Sequence, residues 1–381
     1  MKRIITIVSA TLFLLVIFTG CSTTQNNSST KGIKETNKPI KVGWIGPLSG
    51  DVANLGENVR DAVKVAQDEI NEQGGIYGQQ LEIIFEDGMC DGKGGANAAN
   101  KLINIDKVDV ILGGICSGET LAAAPLAEES NVLLFSAAST NPKITDAGDY
   151  VFRIIPSDSF QGTFIADYII NTLNKKNVAI IYNDDIEWSV GVKNVFKKRF
   201  LELGGNIVSE EGANSESRDV RSQLTKIKQS GGDIIFAPTY RDSGVIILKQ
   251  KQNLGIDLPI LGGDVWDDMT IAQNGGMAAN GAMFSVATKA ELPTNFKIGM
   301  KAETGTNEIN TYAPRAYDAL HILADIMNRV GTNGDEIKNE LYNLRDYKGI
   351  ADTYTLDKNG DMENASYNVF QFQDGEMVKV Y

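Results

Sequence analysis

Residues 108–142, VDVILGGICSGETLAAAPLAEESNVLLFSAASTNP, contain two apolar runs that each end in small hydroxyl residues. The run VDVILGG predicts a strand that stops just before Ser117, and NVLLFSA predicts a strand that stops at Ser139 and Thr140, with a helix between them. If the strands are parallel, both ends lie at the carboxyl edge of one sheet, where open α/β folds bind ligands. Ser117 would then begin a helix whose unpaired backbone N–H groups can face a small anion. The alternative is that these hydroxyls only cap helices and turns.

The same alternation of strand-like and helix-like runs continues along most of the chain. Strand-like runs such as IKVGWIG, QLEIIFE, NVAIIYN, GDIIFAP and LPILGG are separated by amphipathic segments that stop at paired glycines. A repeat of about 25–30 residues is typical of βαβ units with a parallel sheet. The rhythm is interrupted near residues 150–158 and then resumes, which predicts two α/β lobes.

The predicted fold is therefore α/β, with two Rossmann-like lobes that have parallel central sheets, a multi-strand hinge and a short β tail. Candidate crossings between the lobes lie at 153–158 and 284–290, and the tail has turns at KNGD and QDGE. The predicted N-terminal lobe comprises residues 39–155 and 289–331, and the predicted C-terminal lobe comprises residues 156–288 and 332–381.

The N-terminus, MKRIITIVSATLFLLVIFTGC, has a basic start, an apolar core and a cysteine at its end. This pattern predicts a secretory signal peptide over residues 1–20, too short to indicate a membrane span. The segment FTGC resembles the bacterial lipobox, which implies that Cys21 carries a lipid; the alternative is an ordinary secretory signal. The polar residues 21–38 then form a flexible tether.

Charge and hydropathy limit the partners of the mature chain. Removal of residues 1–20, which include Lys2 and Arg3, changes the formal charge from −13 to −15. An acidic chain without a basic stripe argues against nucleic acid as a partner. No second apolar stretch of about 18 residues is present, so only the lipid would hold the protein at a membrane. We therefore expect it at the extracytoplasmic face of the cell membrane.

The remaining cysteines, Cys90 and Cys116, are expected to form a disulfide, because exported proteins usually oxidise such pairs. The segment GICSG also matches a nucleophile elbow, G-x-C-x-G, which raises the alternative of a Cys116 hydrolase. That alternative requires a reduced Cys116 close to His321, the one histidine of the chain. We expect the disulfide and no enzymatic activity.

Other motifs give no cofactor or metal signal. DGKGG lacks the spacing of a phosphate-binding loop, and no G-x-G-x-x-G follows the first strand. The acidic cluster of Asp184, Asp185 and Glu187 could bind a hard cation or form a solvated loop. Residues 357–361, DKNGD, have a faint calcium-loop pattern without the distal glutamate. We expect neither a cofactor nor a metal.

Residues 40 to about 330 resemble the leucine/isoleucine/valine-type periplasmic binding proteins, the type I solute-binding family of bacterial ABC importers. The resemblance is carried by IGPLSGDVANLGENVRDAVKVAQDEIN, the pair Cys90 and Cys116-Ser117, FSAASTNP, FRIIPSDSFQG, IYNDD and YAPRAYDA. It implies two lobes that close over a ligand and a closed form that a membrane permease reads.

The resemblance also implies a ligand site. A ligand carboxylate would be held by Ser117 and by the backbone and hydroxyls of residues 138–140, and an α-ammonium group would meet an acid of the second lobe, Asp264. A buried zwitterion needs a compensating partner for each of its two charges, because desolvation costs several kcal/mol per ion. Asp264 could instead be a turn residue after two glycines. The implied carboxylate site comprises Ser117, Ala138, Ser139 and Thr140.

Three more positions concern the ligand side chain. Trp188 and Tyr240 match positions where the family places aromatic walls, although either could be core packing. Leu55 lies where amino-acid binders often carry an aromatic ring, which indicates a roomier or more apolar pocket. We therefore expect a binding lipoprotein that captures a small amino acid, branched-chain-like, and delivers it to ABC permease subunits. Alternatives are another small carboxylate or amide, such as an aromatic acid or urea-like solute, and a sensor that feeds a receptor.

Overall fold

The computed structural model describes residues 38–50 and 52–381. The signal peptide predicted over 1–20, the lipid predicted on Cys21 and the tether predicted up to residue 37 lie outside these residues. In the part of the chain that is described, no helix has the length and apolarity needed to cross a bilayer.

Strands and helices alternate along the chain as the apolar runs predict. The strands are β1 Ile40–Gly46, β2 Leu81–Asp87, β3 Val110–Gly113, β4 Leu133–Ser136, β5 Val151–Arg153, β6 Asn177–Asn183, β7 Asn206–Ala213, β8 Ile234–Ala237, β9 Ile260–Gly262, β10 Met283–Ala287, β11 Tyr347–Lys348, β12 Thr353–Tyr354, β13 Tyr367–Gln373 and β14 Glu376–Lys379. The α-helices are α1 Ala53–Glu72, α2 Gly92–Lys101, α3 Ser117–Ser130, α4 Asp158–Asp167, α5 Glu187–Glu202, α6 Arg221–Gln229, α7 Arg241–Asn253, α8 Met269–Gly275, α9 Thr294–Thr304, α10 Ala313–Val330 and α11 Gly334–Tyr342.

The first lobe is built on a sheet of five parallel strands in the order β2-β1-β3-β4-β5. Helices α1, α9 and α10 cover one face, and their apolar side chains share a core with Val42 and Trp44 of β1. Helices α2 and α3 cover the other face around Ile45 and Ile111. Because both faces are covered, the strands are almost wholly apolar, as expected for a buried parallel sheet.

The second lobe is built on seven strands in the order β14-β13-β10-β9-β8-β6-β7. The strands from β10 to β7 are parallel, whereas β13 runs antiparallel to β10 and β14 antiparallel to β13. Two apolar clusters, one around Trp266 and one around Phe196, pack against the two faces. The expected fold of two α/β lobes with parallel central sheets is thus confirmed.

The C-terminal region divides between the lobes, which corrects the assignment of residues 332–381 to the second lobe. Leu341 of α11, Tyr354 and Leu356 belong to the same core as Val42 of the first lobe. Helix α11 follows α10 after a short turn and packs back on it and on β4, so its apolar face is already buried there. Only the hairpin of β13 and β14 joins the second sheet.

Three segments therefore connect the lobes. Residues 153–158 lead from β5 to α4, residues 288–293 lead from β10 to α9, and residues 363–366 lead to β13. The sequence indicated the first two but not the third. It also placed the start of the second at Phe284, which lies inside β10.

Candidate ligand-binding site

The N-terminus of α3 is tied to the loop after β2. Cys90 and Cys116 form the expected disulfide, with their Cα atoms 5.1 Å apart. The buried carboxylate of Glu119 accepts hydrogen bonds from the backbone N–H groups of Cys90, Ile115 and Cys116 at 2.9, 3.0 and 2.9 Å. Burial raises the pKa of Glu119 to about 7, against the lowering effect of these three bonds. Disulfide and carboxylate together fix the residue that follows, Ser117.

The disulfide also removes the nucleophile that the hydrolase alternative requires. The sulfur of Cys116 is bonded to Cys90 and is not a thiolate. His321 has other neighbours: its ring lies 4.4 Å from that of Tyr317, and its Nε2 lies 3.7 Å from a carboxylate oxygen of Glu69. With its sulfur in this disulfide, Cys116 lacks the free thiol that a nucleophile elbow requires.

Two of the strand-end hydroxyls of the first lobe lie where the lobes meet. Ser117 is buried, and its Oγ accepts a hydrogen bond from the backbone N–H of Asn141 at 3.2 Å, which leaves the hydroxyl hydrogen to be donated elsewhere. Thr140 Oγ1 donates to Oδ2 of Asp158, the first residue of α4 in the second lobe, at 2.9 Å. The carboxyl ends of β3 and β4 thus meet at one edge, as parallel strands must.

The other two predicted carboxylate contacts have structural roles instead. The hydroxyl of Ser139 lies 2.9 Å from Gly114 O and 2.6 Å from Thr120 Oγ1, and its backbone N–H donates to Ser136 Oγ at 3.0 Å. The Ala138 N–H also points to Ser136 Oγ, at 3.3 Å. In this structure the Ser139 hydroxyl satisfies carbonyl groups of its own lobe, and its contact with a ligand stays a prediction.

The second lobe contributes an acid and two stacked rings. Asp264 follows β9 directly and is buried; its Oδ2 accepts a hydrogen bond from Tyr312 OH of the first lobe at 2.8 Å. The rings of Trp188 and Tyr240 stack with centroids 5.8 Å apart and an angle of 11°. Trp188 also lies against the backbone before Asp264, since a Cβ atom on Gly263 would be 2.8 Å from its ring. Trp188, Tyr240 and Asp264 therefore form one wall.

The lobes are closed over these residues. Besides the Tyr312 and Thr140 bonds, Tyr240 OH donates to Cys90 Sγ at 3.3 Å, and the side-chain amide of Asn141 donates to Glu187 O at 2.5 Å. Thr140, Trp188, Tyr240 and Asp264 thus lie where the lobes meet, and Ser117 is linked to this contact through Asn141. That these residues bind a ligand stays a prediction.

Several polar atoms in this cleft are buried and have no hydrogen-bond partner within the described residues. They are Asp158 Oδ1, Gln161 Oε1, Trp188 Nε1, Thr239 Oγ1, Asp264 Oδ1 and Thr311 Oγ1. Leaving such groups unpaired costs about 1–3 kcal/mol each, and more for a charged group. Their concentration between the lobes indicates a site that a polar ligand completes.

The two buried acids influence each other. Burial raises the pKa of Asp264 to about 6, against the lowering effect of the Tyr312 hydrogen bond. Burial and the nearby charge of Asp264 raise the pKa of Asp158 well above its usual value. A cation between them would favour the ionised form of both carboxylates.

A match to a family model decides the family of the chain. The model, described as a periplasmic binding protein, matches residues 39–376. The chain belongs to this family. The resemblance found in the sequence is thereby confirmed.

Relatives of known name lie within the same family. The chain is 26% identical over 343 residues to a Leu/Ile/Val-binding protein homologue of Brucella melitensis, covering 89% of this chain and 93% of that protein. A leucine-binding protein of Thermotoga maritima has 29% identity and a TM-score of 0.83, with 90% and 98% of the two chains covered. A branched-chain amino acid transporter substrate-binding protein of Streptococcus pneumoniae, in complex with isoleucine, has 28% identity and a TM-score of 0.80, with 90% and 100% covered.

Three residues of the cleft of this periplasmic binding protein were not predicted from the sequence: Asp158, Gln161 and Tyr312. Each lies inside a quoted motif, FRIIPSDSFQG or YAPRAYDA. Asp158 ends the predicted crossing 153–158 and Gln161 follows three residues later, and an acid and an amide at such a crossing are a usable signal for a cleft. Tyr312 reaches Asp264 only through closure of the lobes.

A cavity of about 310 Å³ adjoins Asp264. Its lining includes apolar side chains, among them Leu55, Met269 and Ile309, and charged side chains, among them Asp267 and Lys289. Leu55 thus lines the same cavity as Asp264. A ring at this position would narrow the cavity.

The acidic motifs that could suggest a metal have other partners. Asp185 accepts hydrogen bonds from Asn214 and Ser215, and Glu187 pairs with Lys143. Over residues 38–50 and 52–381, no group of three or more His, Cys, Asp or Glu side chains could hold an ion.

Proposed function

We propose that this periplasmic binding protein captures a small zwitterionic amino acid between its lobes and presents the closed form to the permease of an ABC importer. The observation that carries the proposal is the pair of buried carboxylates, Asp158 and Asp264, each with one oxygen unpaired in the cleft. An unpaired charge in a protein interior costs several kcal/mol, so the site calls for a cation.

The first lobe supplies the complementary groups. Ser117 is the first residue of α3, whose N-terminal backbone N–H groups and helix dipole favour an anion. Its hydroxyl hydrogen is not used by the bond from Asn141 and would be donated to the ligand carboxylate, whereas Thr140 gives its hydroxyl hydrogen to Asp158. A ligand that carries a carboxylate and an ammonium on one carbon fits such an arrangement.

The apolar part of the adjoining cavity, formed by Leu55, Met269 and Ile309, supports an apolar ligand side chain, and branched-chain amino acids are the first candidates. The relatives named above, which bind leucine or hold isoleucine, support the same choice. An aromatic acid or a urea-like solute would use only part of the charged site.

We further propose that Cys21 is lipidated after removal of residues 1–20 and that the lipid holds the protein at the outer face of the cell membrane. The pattern FTGC at the end of the apolar segment supports this anchor. Labelling with a radioactive fatty acid, with Cys21→Ser as the control, tests it.

The ligand proposal is tested by calorimetry with matched analogues. We expect leucine, isoleucine or valine to bind with a dissociation constant about a hundredfold or more lower than 3-methylbutylamine, which lacks the carboxylate, and 4-methylpentanoate, which lacks the ammonium. Asp264→Asn should weaken leucine binding strongly, whereas Asp325→Asn, at an exposed acid on α10, should not.

The result against the proposal would be equal affinity for leucine and one of the two analogues. Tight binding of 4-methylpentanoate alone would indicate a carboxylate binder instead. If no amino acid binds and an aromatic acid or urea raises the melting temperature, the ligand class is wrong while the family remains.

A further inference from the structure

Arg153, at the end of β5, is fully buried and donates all five of its guanidinium hydrogens. Nε and Nη2 donate to the two carboxylate oxygens of Asp361, each at 2.7 Å. Nη1 donates to the carbonyl oxygens of Thr140 and Asn141 at 3.0 and 2.8 Å, and Nη2 also donates to Thr145 Oγ1 at 2.8 Å. A buried arginine with every donor used is a fixed point of the structure.

Asp361 comes from the DKNGD motif, which the sequence associates only faintly with calcium. Asp357 Oδ1 accepts hydrogen bonds from the backbone N–H groups of Asn359 and Asp361 at 2.8 and 3.0 Å, so the motif forms a tight turn. Gly360 has φ +78°, and a Cβ atom there would be 2.7 Å from the ring of Phe152. The acids of this motif therefore shape a turn that presents Asp361 to an arginine.

The peptide held by Arg153 is the one that carries the carboxylate side of the cleft. On its other side, the Asn141 N–H donates to Ser117 Oγ, and Thr140 Oγ1 donates to Asp158. The Thr140 carbonyl also accepts the backbone N–H of Asp158 at 2.8 Å. Any shift of this peptide would move Ser117 and Thr140 relative to a bound carboxylate.

We infer that Arg153, held by Asp361, is a positioning residue of the ligand site: it fixes the Thr140–Asn141 peptide and thereby both the Ser117 hydroxyl, which would donate to the ligand carboxylate, and the Thr140 hydroxyl, which binds Asp158. The pair also joins two of the three connections between the lobes. Arg153 begins the segment 153–158, and Asp361 lies just before the segment 363–366. This inference rests on the proposed function.

The arginine is needed for its shape more than for its charge. Its guanidinium reaches two carbonyls, one hydroxyl and both oxygens of one carboxylate at once, which the single ammonium of a lysine cannot do. Arg153→Lys keeps the positive charge, and with it the field at Asp158, but loses most of this fork. Its effect therefore separates geometry from charge.

The test compares leucine with leucinamide, which keeps the ammonium and lacks the carboxylate. We expect Arg153→Lys to raise the dissociation constant of leucine about tenfold and that of leucinamide less than about threefold. The ratio of the leucinamide constant to the leucine constant should therefore fall. Asp361→Asn should change the ratio in the same direction. A purely structural role would lower the melting temperature and leave the ratio unchanged.

The matched control is Asp318→Asn. Asp318 is another buried acid of the first lobe, which binds Tyr354 OH and the backbone of residues 350–351 and has no bond to the Thr140 loop. Its loss should lower the melting temperature while the ratio of the two dissociation constants stays at the wild-type value.

An Arg153→Lys protein that folds and keeps the wild-type ratio would overturn the inference and leave the proposed function intact. If that variant does not fold, Thr145→Val replaces it in the test, because this change removes only the hydroxyl between Arg153 and Asp361. We expect the ratio of the leucinamide dissociation constant to the leucine dissociation constant to fall about threefold. If the wild-type protein binds no amino acid, the proposed function fails and this inference fails with it.

Discussion

At the scale of single residues, the character of the site comes from Asp158 and Asp264. Each has one oxygen satisfied by a hydroxyl from the first lobe, Thr140 or Tyr312, and one oxygen without a partner among the described residues. Both pKa values are raised because burial disfavours the charged form. A ligand ammonium would favour the ionised form of these carboxyl groups. Ligand binding should therefore be linked to the release of a proton from them.

This linkage gives a pH prediction. The pKa of Asp264 in the ligand-free protein is about 6, and pairing with an ammonium would lower it, so ligand binding displaces a proton below about pH 6. Leucine affinity should therefore increase with pH between 5 and 7, by up to about tenfold per unit for one linked proton.

The linkage also affects stability. A carboxyl with a raised pKa in the folded state stabilises the ligand-free protein below its unfolded pKa, and that contribution is lost as pH rises through about 6.

The pH dependence of leucine binding is tested by calorimetry from pH 5 to 7. Buffers of different ionisation enthalpy reveal the proton that is released on binding. In Asp264→Asn, leucine affinity should change little between pH 5 and 7. A wild-type leucine affinity that does not change with pH would contradict the prediction.

Leu55 gives a second prediction at this scale, on the ligand side chain. In Leu55→Tyr, the ring would occupy part of the cavity of about 310 Å³ that this residue lines. We expect phenylalanine binding to weaken by about 1–3 kcal/mol through overpacking, and valine binding to weaken less. Thermal shifts with both amino acids measure the difference. Ile298→Tyr, on the exposed face of α9, should leave both unchanged.

At the scale of elements, the N-terminus of α3 is the part of the site fixed most firmly. The disulfide and Glu119 hold it against the loop before α2, which places Ser117 at the end of a helix with little freedom. Helix α3 is therefore expected to be the preformed half of the proposed site.

The double variant Cys90→Ser/Cys116→Ser tests this role. The two cysteines are 26 residues apart, and by the chain-entropy model opening such a loop lowers the free energy of unfolding by about 3.5 kcal/mol. Urea denaturation measures this loss. We also expect weaker leucine binding in the folded variant, because the N-terminus of α3 is less fixed. Unchanged leucine affinity would show that Glu119 and the surrounding core suffice to fix the N-terminus of α3 without the disulfide.

At the scale of the whole molecule, the proposed function depends on the closing of the two lobes. Few direct bonds hold the closed form, and the Lys143 and Glu187 pair is largely exposed, so it contributes little. The buried bond from Tyr312 to Asp264 is stronger, because its loss leaves a carboxylate oxygen unsatisfied.

Tyr312→Phe should therefore shift the ligand-free protein towards the open form and weaken leucine binding by about 1–3 kcal/mol. Small-angle scattering without ligand should show a larger radius of gyration than for the wild-type protein, and saturating leucine should restore the compact form. An unchanged radius together with unchanged affinity would show that this bond does not support closure.

Part of this organisation could be predicted from the sequence, because it depends on local order along the chain. Alternating apolar runs and amphipathic segments determined the two α/β lobes. The positions of Ser117 and Asp264 directly after predicted strands determined that they lie at the ligand edge, since strand ends meet there whatever the details of packing. Two leftover cysteines in an exported chain determined the disulfide.

Only the tertiary structure decided which side chains turn towards the cleft. Ser139 and Thr140 are neighbours in a polar loop, yet their hydroxyls have different partners. Ser139 packs on residues 114–120 and satisfies carbonyl groups there, whereas Thr140 reaches Asp158. Tyr312 meets Asp264 across 48 residues of sequence, and Arg153 meets Asp361 across 208. Pairs so far apart in the chain leave no local pattern, since their proximity depends on how the lobes pack and close.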